Sequence, residues 1–190
     1  MLSEKLGHAL DKPLEAFARR IPLSPNVITI TGFTLVVASS FLLAHNLTLG
    51  ALFLLPAGLF DMLDGIVARS RGEISSFGAF LDSVLDRYAD SAILLAIAWN
   101  LANSGDMTGV FLSLITLVGS FMISYTRARA EGLGASCNHG LMERPERLIL
   151  LFMGAVSGYI VPALWVLAGL THYTVLQRIR YARKQFTKQN

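Results

Sequence analysis

Residues 61–86 read DMLDGIVARSRGEISSFGAFLDSVLD, and they place four carboxylates, Asp61, Asp64, Asp82 and Asp86, inside sequence that is otherwise apolar enough for a lipid bilayer. A charged side chain at the centre of a bilayer costs at least ~2.5 kcal/mol, so four of them need a partner that offsets this cost. Divalent cations are well suited to this, because they bind carboxylate oxygens directly. The stretch therefore predicts a metal-dependent enzyme site within a membrane protein.

The composition of the whole chain is that of an integral membrane protein. Of its 190 residues, 53% are hydrophobic and only 15% are charged, and the mean hydropathy is +0.53. This balance excludes an ordinary soluble domain, and the length is too short for two membrane domains. We therefore expect one membrane domain, surrounded by membrane lipids and with no nucleic-acid partner. The single Cys137 cannot form an internal disulfide.

The apolar segments predict an all-α fold, an integral membrane bundle of six transmembrane helices with an amphipathic interfacial helix before it. Apolar residues recur on one side of residues 1–22, which predicts the amphipathic juxtamembrane helix, and residues 23–190 form the predicted six-helix domain. Ser24 is the candidate N-cap of the first span, with Pro25 at its first helical position. The first four predicted helices cover 27–44, 47–68, 76–101 and 108–128, followed by a short fifth helix from 147 and a sixth that ends near 180. A hairpin at 69–75 joins the second helix to the third, and a turn at Ser157-Gly158 separates the fifth from the sixth.

The basic residues predict the orientation of these spans. All sixteen lysines and arginines fall on one side of the six spans, and the loops on the opposite side, near His45, Ser104 and Gly158, contain none. Cytoplasmic loops carry the excess of Lys and Arg in membrane proteins. We therefore expect a multi-pass protein of the cell membrane with both termini and the active site on the cytosolic side.

The spacing of the four aspartates predicts that they meet. Asp61 and Asp64 are three residues apart, and Asp82 and Asp86 are four apart, so each pair shares one face of a helix. Asp64 lies 8 residues before Gly72, and Asp82 lies 10 residues after it. At ~1.5 Å per residue both are roughly 12 to 15 Å from the turn. Hard oxygen ligands in this arrangement suit Mg²⁺, Mn²⁺ or Ca²⁺.

The aspartates belong to a longer pattern with eight fixed positions. It reads Asp61-x-x-Asp64-Gly65-x-x-Ala68-Arg69, eight further residues, then Gly78-x-x-x-Asp82-x-x-x-Asp86. The pattern resembles the signature of the CDP-alcohol phosphotransferases and matches it at every position. The resemblance covers the whole chain, since that family also has six transmembrane helices and an amphipathic N-terminal helix.

The resemblance implies an activity and its cofactors. The four aspartates would hold two divalent ions, Mg²⁺ or Mn²⁺, that bind the CDP diphosphate, and Asp86 would be the general base. The implied reaction is attack by an alcohol hydroxyl on the lipid-side phosphorus of a CDP-lipid, which releases CMP. The family also implies a homodimer. The residues expected to contact the CDP-lipid are Asn26, Thr29, Gly65, Ala68, Arg69 and Gly78, although a helix cap explains Asn26 and Thr29 equally well.

Arginines at the ends of the fourth and fifth spans point to a phosphorylated acceptor. They could simply anchor the membrane boundary, but guanidinium groups from two spans could also clamp a phosphate. The segments 124–131 and 143–147 resemble those of the phosphatidylinositol-phosphate synthase branch, which joins CDP-diacylglycerol to inositol 1-phosphate. Archaeal relatives that use CDP-archaeol share this pocket, so the resemblance leaves the lipid donor open. The resemblance places the acceptor's phosphate among Ser124, Arg127, Arg144, Arg147 and Arg178.

Two other functions remain open from the sequence. A sister enzyme could use glycerol 3-phosphate or another alcohol, because the same arginines could bind that phosphate. Buried carboxylates also occur in cation or proton transporters. Release of CMP in the presence of a CDP-lipid and one acceptor would distinguish these possibilities.

Overall fold

The computed structural model describes residues 21–137 and 140–189, without side-chain detail at positions 61, 62, 188 and 189. Within these residues the chain is helical, with turns and short irregular connections and no strand, so the predicted all-α fold of six helices is confirmed. The amphipathic helix predicted at 1–22 falls almost entirely outside the described residues, and the division into 1–22 and 23–190 stays a prediction. The helices are α1 (Pro25–His45), α2 (Leu47–Arg71), α3 (Ser76–Asn103), α4 (Met107–Glu131), α5 (Arg144–Ser157) and α6 (Ile160–Gln189).

Four of the described helices are long and apolar enough to cross a membrane, namely α1, α2, α4 and the part of α6 from Ile160 to Thr187. Helix α3 has 28 residues, but its segment 82–90 carries Asp82, Asp86 and Asp90. Helix α5 has 14 residues, which is about 21 Å of helix and shorter than the ~30 Å hydrocarbon core. The protein is a multi-pass membrane protein.

The ends of the helices differ from the predicted ends where polar sequence continues a helix. Helix α2 runs to Arg71, and α6 runs to Gln189, well beyond the predicted end near position 180. Hydropathy marks only the part of a helix that lies in lipid, whereas arginine, lysine, glutamine and alanine are all good helix formers in water. Helix α5 begins at Arg144, three residues earlier than predicted, because Pro145 suits a first turn.

The helix caps confirm the predicted start of α1, with Ser24 as the N-cap residue and Pro25 as the first helical residue. Ser24 occupies the N-cap position of α1, but its side chain makes no capping hydrogen bond. Side chains do cap α2 and α4, where Asn46 accepts a bond from the Leu49 amide at 3.0 Å and Asp106 accepts one from the Gly109 amide at 2.9 Å. Only one residue separates α1 from α2, so the two helices form a tight hairpin.

The chain forms two compact units, Met1–Ala96 and Ile97–Asn190, each with its own buried cluster. In the first unit, Ile28 of α1 packs with Ile66 and Val67 of α2, and this cluster fixes α2 beside α1. In the second unit, Ala130 and Cys137 pack with a second alanine, and side chains near the end of α6 cover them. Each cluster lies close to residues that the sequence predicts to be functional.

Candidate active site

Asp64 is held in place by a hydroxyl group from the neighbouring helix. Its side chain is only 7% exposed. Thr29 of α1 donates a hydrogen bond from Oγ1 to Asp64 Oδ2 at 2.6 Å. The same hydroxyl lies 3.0 Å from the Pro25 carbonyl oxygen, but it carries one proton and can donate to only one of them at a time. The structure therefore places Thr29, which the sequence assigns to the CDP-lipid, directly on a predicted metal ligand.

Asn26 and Gly78 lie against each other at the beginnings of α1 and α3. The Gly78 amide donates to Ser75 Oγ at 3.0 Å, which caps the start of α3. A Cβ atom at Gly78 would lie 3.1 Å from Asn26 Oδ1 and 3.0 Å from Ser75 Oγ. Both distances are tighter than an ordinary van der Waals contact, so glycine is what lets the Asn26 amide approach α3. Two residues predicted to bind the CDP-lipid are thus neighbours, although 52 positions separate them.

Arg69 folds back along α2 towards the same aspartate. A Cβ atom at Gly65 would lie 3.1 Å from Arg69 Nη1, so the guanidinium lies beside the backbone one residue after Asp64. Arg69 is exposed, and Ala68 is half-buried. An exposed guanidinium group can bind a phosphate through two of its N–H groups at once. Contact of Gly65, Ala68 and Arg69 with the CDP-lipid stays a prediction.

Asp82 and Asp86, the two signature aspartates of α3, are half-buried. Asp86 Oδ2 lies 3.8 Å from Arg87 Nη1, with the two side chains 21% and 32% exposed, respectively. Arg87 also donates to the Ser83 carbonyl one turn earlier, which keeps its guanidinium on the helix. Asp82 lies one turn before Asp86, as the spacing predicts.

The chemistry of the four aspartates fits a divalent metal, because they offer only hard carboxylate oxygens. Asp64 is also oriented by a second group, as metal ligands usually are. The side chain of Asp61 lies outside the described set. Among the side chains that are described, no three histidine, cysteine, aspartate or glutamate residues form a group that could hold a metal ion. The cluster of four aspartates therefore stays a prediction.

Arg71 has a role that the sequence interpretation missed. Its Nη1 atom donates to the carbonyl oxygens of Ile21 at 3.2 Å and Leu23 at 2.8 Å, and its Nη2 atom lies 3.1 Å from Glu73 Oε1. These bonds attach the segment before α1 to the end of α2. In the sequence Arg71 contributes only a positive charge on the predicted cytosolic side, and no local pattern indicates a contact with residues about 50 positions away.

In the second unit, two of the five residues predicted to bind the acceptor's phosphate are buried arginines. Arg178 of α6 is 3% exposed and donates from Nη1 to the Ile123 carbonyl of α4 at 2.6 Å. Arg147 of α5 is 5% exposed and donates from Nη1 to the Met142 carbonyl at 3.3 Å. A Cβ atom at Gly140 would lie 3.2 Å from Arg178 Nε, so this glycine lets the segment before α5 pass over the guanidinium. Both guanidinium groups are therefore held in fixed positions.

The other three residues of this predicted site have different surroundings. Arg127 is exposed and pairs with Glu131 one turn later, with 2.9 Å between Nε and Oε1. Such exposed pairs contribute little to stability, so the pair leaves Arg127 able to exchange its partner for a phosphate. Ser124 and Arg144 are half-buried, at the end of α4 and the start of α5, respectively. The grouping of all five around one phosphate stays a prediction.

Comparison with known proteins decides the family. The family model for CDP-alcohol phosphatidyltransferases matches residues 22–179. The chain belongs to the CDP-alcohol phosphatidyltransferase family. The family resemblance drawn from the aspartate signature is therefore confirmed, and so is the prediction that the protein is an enzyme of this type.

Several relatives of this phosphatidyltransferase have named activities. It is 41% identical over 175 residues to the archaetidylinositol phosphate synthase of Methanothermobacter thermautotrophicus, and the aligned region covers 88% of this chain and 87% of the relative. It is 40% identical over 190 residues to the phosphatidylinositol phosphate synthase of Mycobacterium tuberculosis, and the aligned region covers 94% of this chain and 88% of the relative.

Solved structures of the Mycobacterium tuberculosis enzyme resemble the phosphatidyltransferase described here. The structure with CDP-DAG bound is 36% identical, covers 92% of this chain and 94% of its own, and gives a TM-score of 0.83. The structure in complex with manganese and citrate is 37% identical, covers 90% of this chain and 88% of its own, and also gives a TM-score of 0.83. The shared fold therefore extends over nearly the whole phosphatidyltransferase.

Proposed function

We propose that the protein transfers the phosphatidyl or archaetidyl group of a CDP-lipid to inositol 1-phosphate and releases CMP. The observation that carries this proposal is the complete eight-position signature, whose positions lie on α2 and α3. The arginines near the ends of α4, α5 and α6 support a phosphorylated acceptor. Relatives with named activities include both an archaetidylinositol and a phosphatidylinositol phosphate synthase, so the lipid donor is either CDP-archaeol or CDP-diacylglycerol.

The aspartates would hold two divalent ions, Mg²⁺ or Mn²⁺, and one solved relative contains manganese. When bound, such ions neutralise the diphosphate and make its phosphorus easier to attack. Thr29 orients Asp64 through the bond to Oδ2. Asn26, Gly65, Ala68, Arg69 and Gly78 form the predicted contact surface for the CDP-lipid.

Asp86 accepts the proton of the acceptor's hydroxyl group as that oxygen attacks the lipid-side phosphorus. A new phosphorus–oxygen bond forms to the acceptor, and the bond to CMP breaks. Arg147 and Arg178 are suited to bind the acceptor's own phosphate, because their guanidinium groups are already immobilised by backbone carbonyls and lose little entropy on binding. Ser124, Arg127 and Arg144 complete the proposed phosphate site.

We further propose that the enzyme is a homodimer in the cell membrane with both termini and the active site on the cytosolic side. The distribution of lysine and arginine supports this orientation. An accessibility assay with a reporter fused after Asn190 tests it, and a reporter reached only from outside would refute it.

The transfer reaction is tested by mixing the purified protein with Mg²⁺ or Mn²⁺, one CDP-lipid and one acceptor. The acceptors are inositol 1-phosphate, glycerol 3-phosphate and inositol, and CMP and the lipid product are measured. We expect CMP release and an inositol-phosphate lipid only with the first. Asp86→Asn should remove transfer, and Asp106→Asn is the matched control, because asparagine caps a helix as well as aspartate does.

The competing functions predict different results in this assay. Turnover with glycerol 3-phosphate alone would assign the sister activity and refute the inositol assignment. Turnover by Asp86→Asn at the rate of Asp106→Asn would refute the base assignment. The transferase proposal would be refuted altogether if none of the three acceptors led to CMP release while ions crossed liposomes that contain the protein.

A further inference from the structure

The second unit contains a cavity of about 510 Å³ between the ends of α4 and α6. We call it the α4–α6 cavity. Apolar and aromatic side chains form most of its wall, among them Tyr125, Leu133, Ile179 and Phe186. Its volume lies within the ~300–1,000 Å³ range of small-molecule sites. One lining residue, Arg178, also belongs to the proposed acceptor-phosphate site, but the proposed transfer reaction gives no role to the other lining residues.

The cavity opens on a face of α4 that differs from the face carrying the predicted acceptor residues. Tyr125 and Arg129 of α4 line it, whereas Ser124 and Arg127 do not. Successive residues of an α-helix are rotated by roughly 100°, so positions 125 and 129 share one face and 124 and 127 share another. Arg178 lies in the wall of the cavity, but its Nη1 atom is directed to the Ile123 carbonyl.

Two arginines give the cavity a positive rim. Arg129 and Arg183 line it and are exposed. Over the part of the chain that the structure describes, neither guanidinium group forms an ion pair, in contrast to that of Arg127, which pairs with Glu131. The rim therefore combines positive charge with an apolar floor. That combination complements a molecule with an anionic head and an apolar tail.

We propose that the α4–α6 cavity binds one anionic membrane phospholipid. The lipid's phosphate lies between Arg129 and Arg183, and part of one chain lies against Tyr125, Ile179 and Phe186. Helices α4 and α6 are both long and apolar enough to cross a membrane, and the cavity lies near their polar ends, where lipid headgroups would meet water. Basic residues near a membrane surface each favour an anionic lipid by about fivefold in binding. The residues proposed to hold this lipid differ from those proposed to bind the acceptor or the CDP-lipid.

The test is native mass spectrometry of the full-length protein in detergent, titrated with phosphatidylglycerol. Phosphatidylcholine tests the need for net negative charge, and inorganic phosphate tests whether a free anion suffices. Arg129→Gln and Arg183→Gln should each weaken phosphatidylglycerol binding about fivefold, and together about thirtyfold. Arg180→Gln is the matched control, because it removes the same charge from an exposed position of α6 that does not line the cavity.

The proposal predicts that phosphatidylglycerol binds more tightly than phosphatidylcholine and that inorganic phosphate does not displace it at similar concentration. Ile179→Trp, which fills the floor without changing charge, should also weaken binding while the melting temperature stays near that of the wild type. Equal binding by the double variant and Arg180→Gln would overturn the proposal, as would equal affinity for the two lipids. A double variant that changes the oligomer mass but retains the lipid would also overturn it, because this face would then be an interface between copies.

Discussion

Thr29→Val tests how the first unit positions a metal ligand. The substitution keeps the shape of the side chain and removes the hydroxyl that donates to Asp64 Oδ2 at 2.6 Å. A hydrogen bond to a charged group contributes about 1.5–3 kcal/mol. Loss of a group that orients a metal ligand typically costs roughly 10- to 100-fold in metal affinity or activity. We therefore expect the concentration of Mn²⁺ that gives half-maximal activity to rise by roughly 10- to 100-fold.

The assay measures CMP release against Mn²⁺ concentration at saturating CDP-lipid and acceptor, with direct Mn²⁺ binding followed by electron paramagnetic resonance. Thr34→Val is the matched control, because Thr34 lies on the same helix, is exposed and donates only to the Ile30 carbonyl. If Thr29 instead contacts the nucleotide, the KM for the CDP-lipid rises while the Mn²⁺ dependence equals that of Thr34→Val. That result would refute the positioning role.

Three further predictions concern other parts of the chain. Arg147→Ala should mainly raise the KM for the phosphorylated acceptor, by about tenfold or more, because a charged hydrogen-bond donor is lost. Steady-state kinetics measure this KM, and a change confined to the KM for the CDP-lipid would contradict the prediction. Gly78→Ala should lower activity, since the new methyl group would displace the Asn26 amide, whereas Gly169→Ala, with no atom within 4 Å of its added Cβ, should leave activity unchanged. Burial raises the pKa of the Cys137 thiol above its ordinary value, and the nearby Arg178 only partly opposes this. The folded state therefore disfavours the thiolate, so the thiol's contribution to the free energy of unfolding should be complete below its ordinary pKa and be lost as pH rises through the raised value. Equal alkylation rates for folded and denatured protein at pH 9 would contradict this.

The sequence predicts the helices of this protein well, because apolar runs and turn residues are local signals. Gly72 and Gly158 both adopt positive φ angles, 68° and 78°, at the two turns where the sequence places them. The end of α6 was harder to predict, since hydropathy falls where the helix leaves the lipid although the helix itself continues. Periodicity also predicts which aspartates share a helix face.

The contacts within the candidate site are the part that the sequence could not provide. Thr29 and Asp64 are 35 positions apart, and Arg178 and Ile123 are 55 apart. No rule of local spacing covers such distances, because they depend on how one helix packs against another. Arg178 shows the difference most clearly. The resemblance assigns it to the acceptor's phosphate, but nothing in the sequence indicates that its side chain is 3% exposed and hydrogen-bonded to the backbone of α4.

The bonds from Arg71 have a consequence for how this protein can change during evolution. Arg71 binds carbonyl oxygens at positions 21 and 23, and every amino acid supplies such an oxygen. The side chain at position 23 is 44% exposed, so it can vary freely while the attachment survives. In an alignment of orthologues we would expect a drifting position 23 beside an invariant arginine at 71.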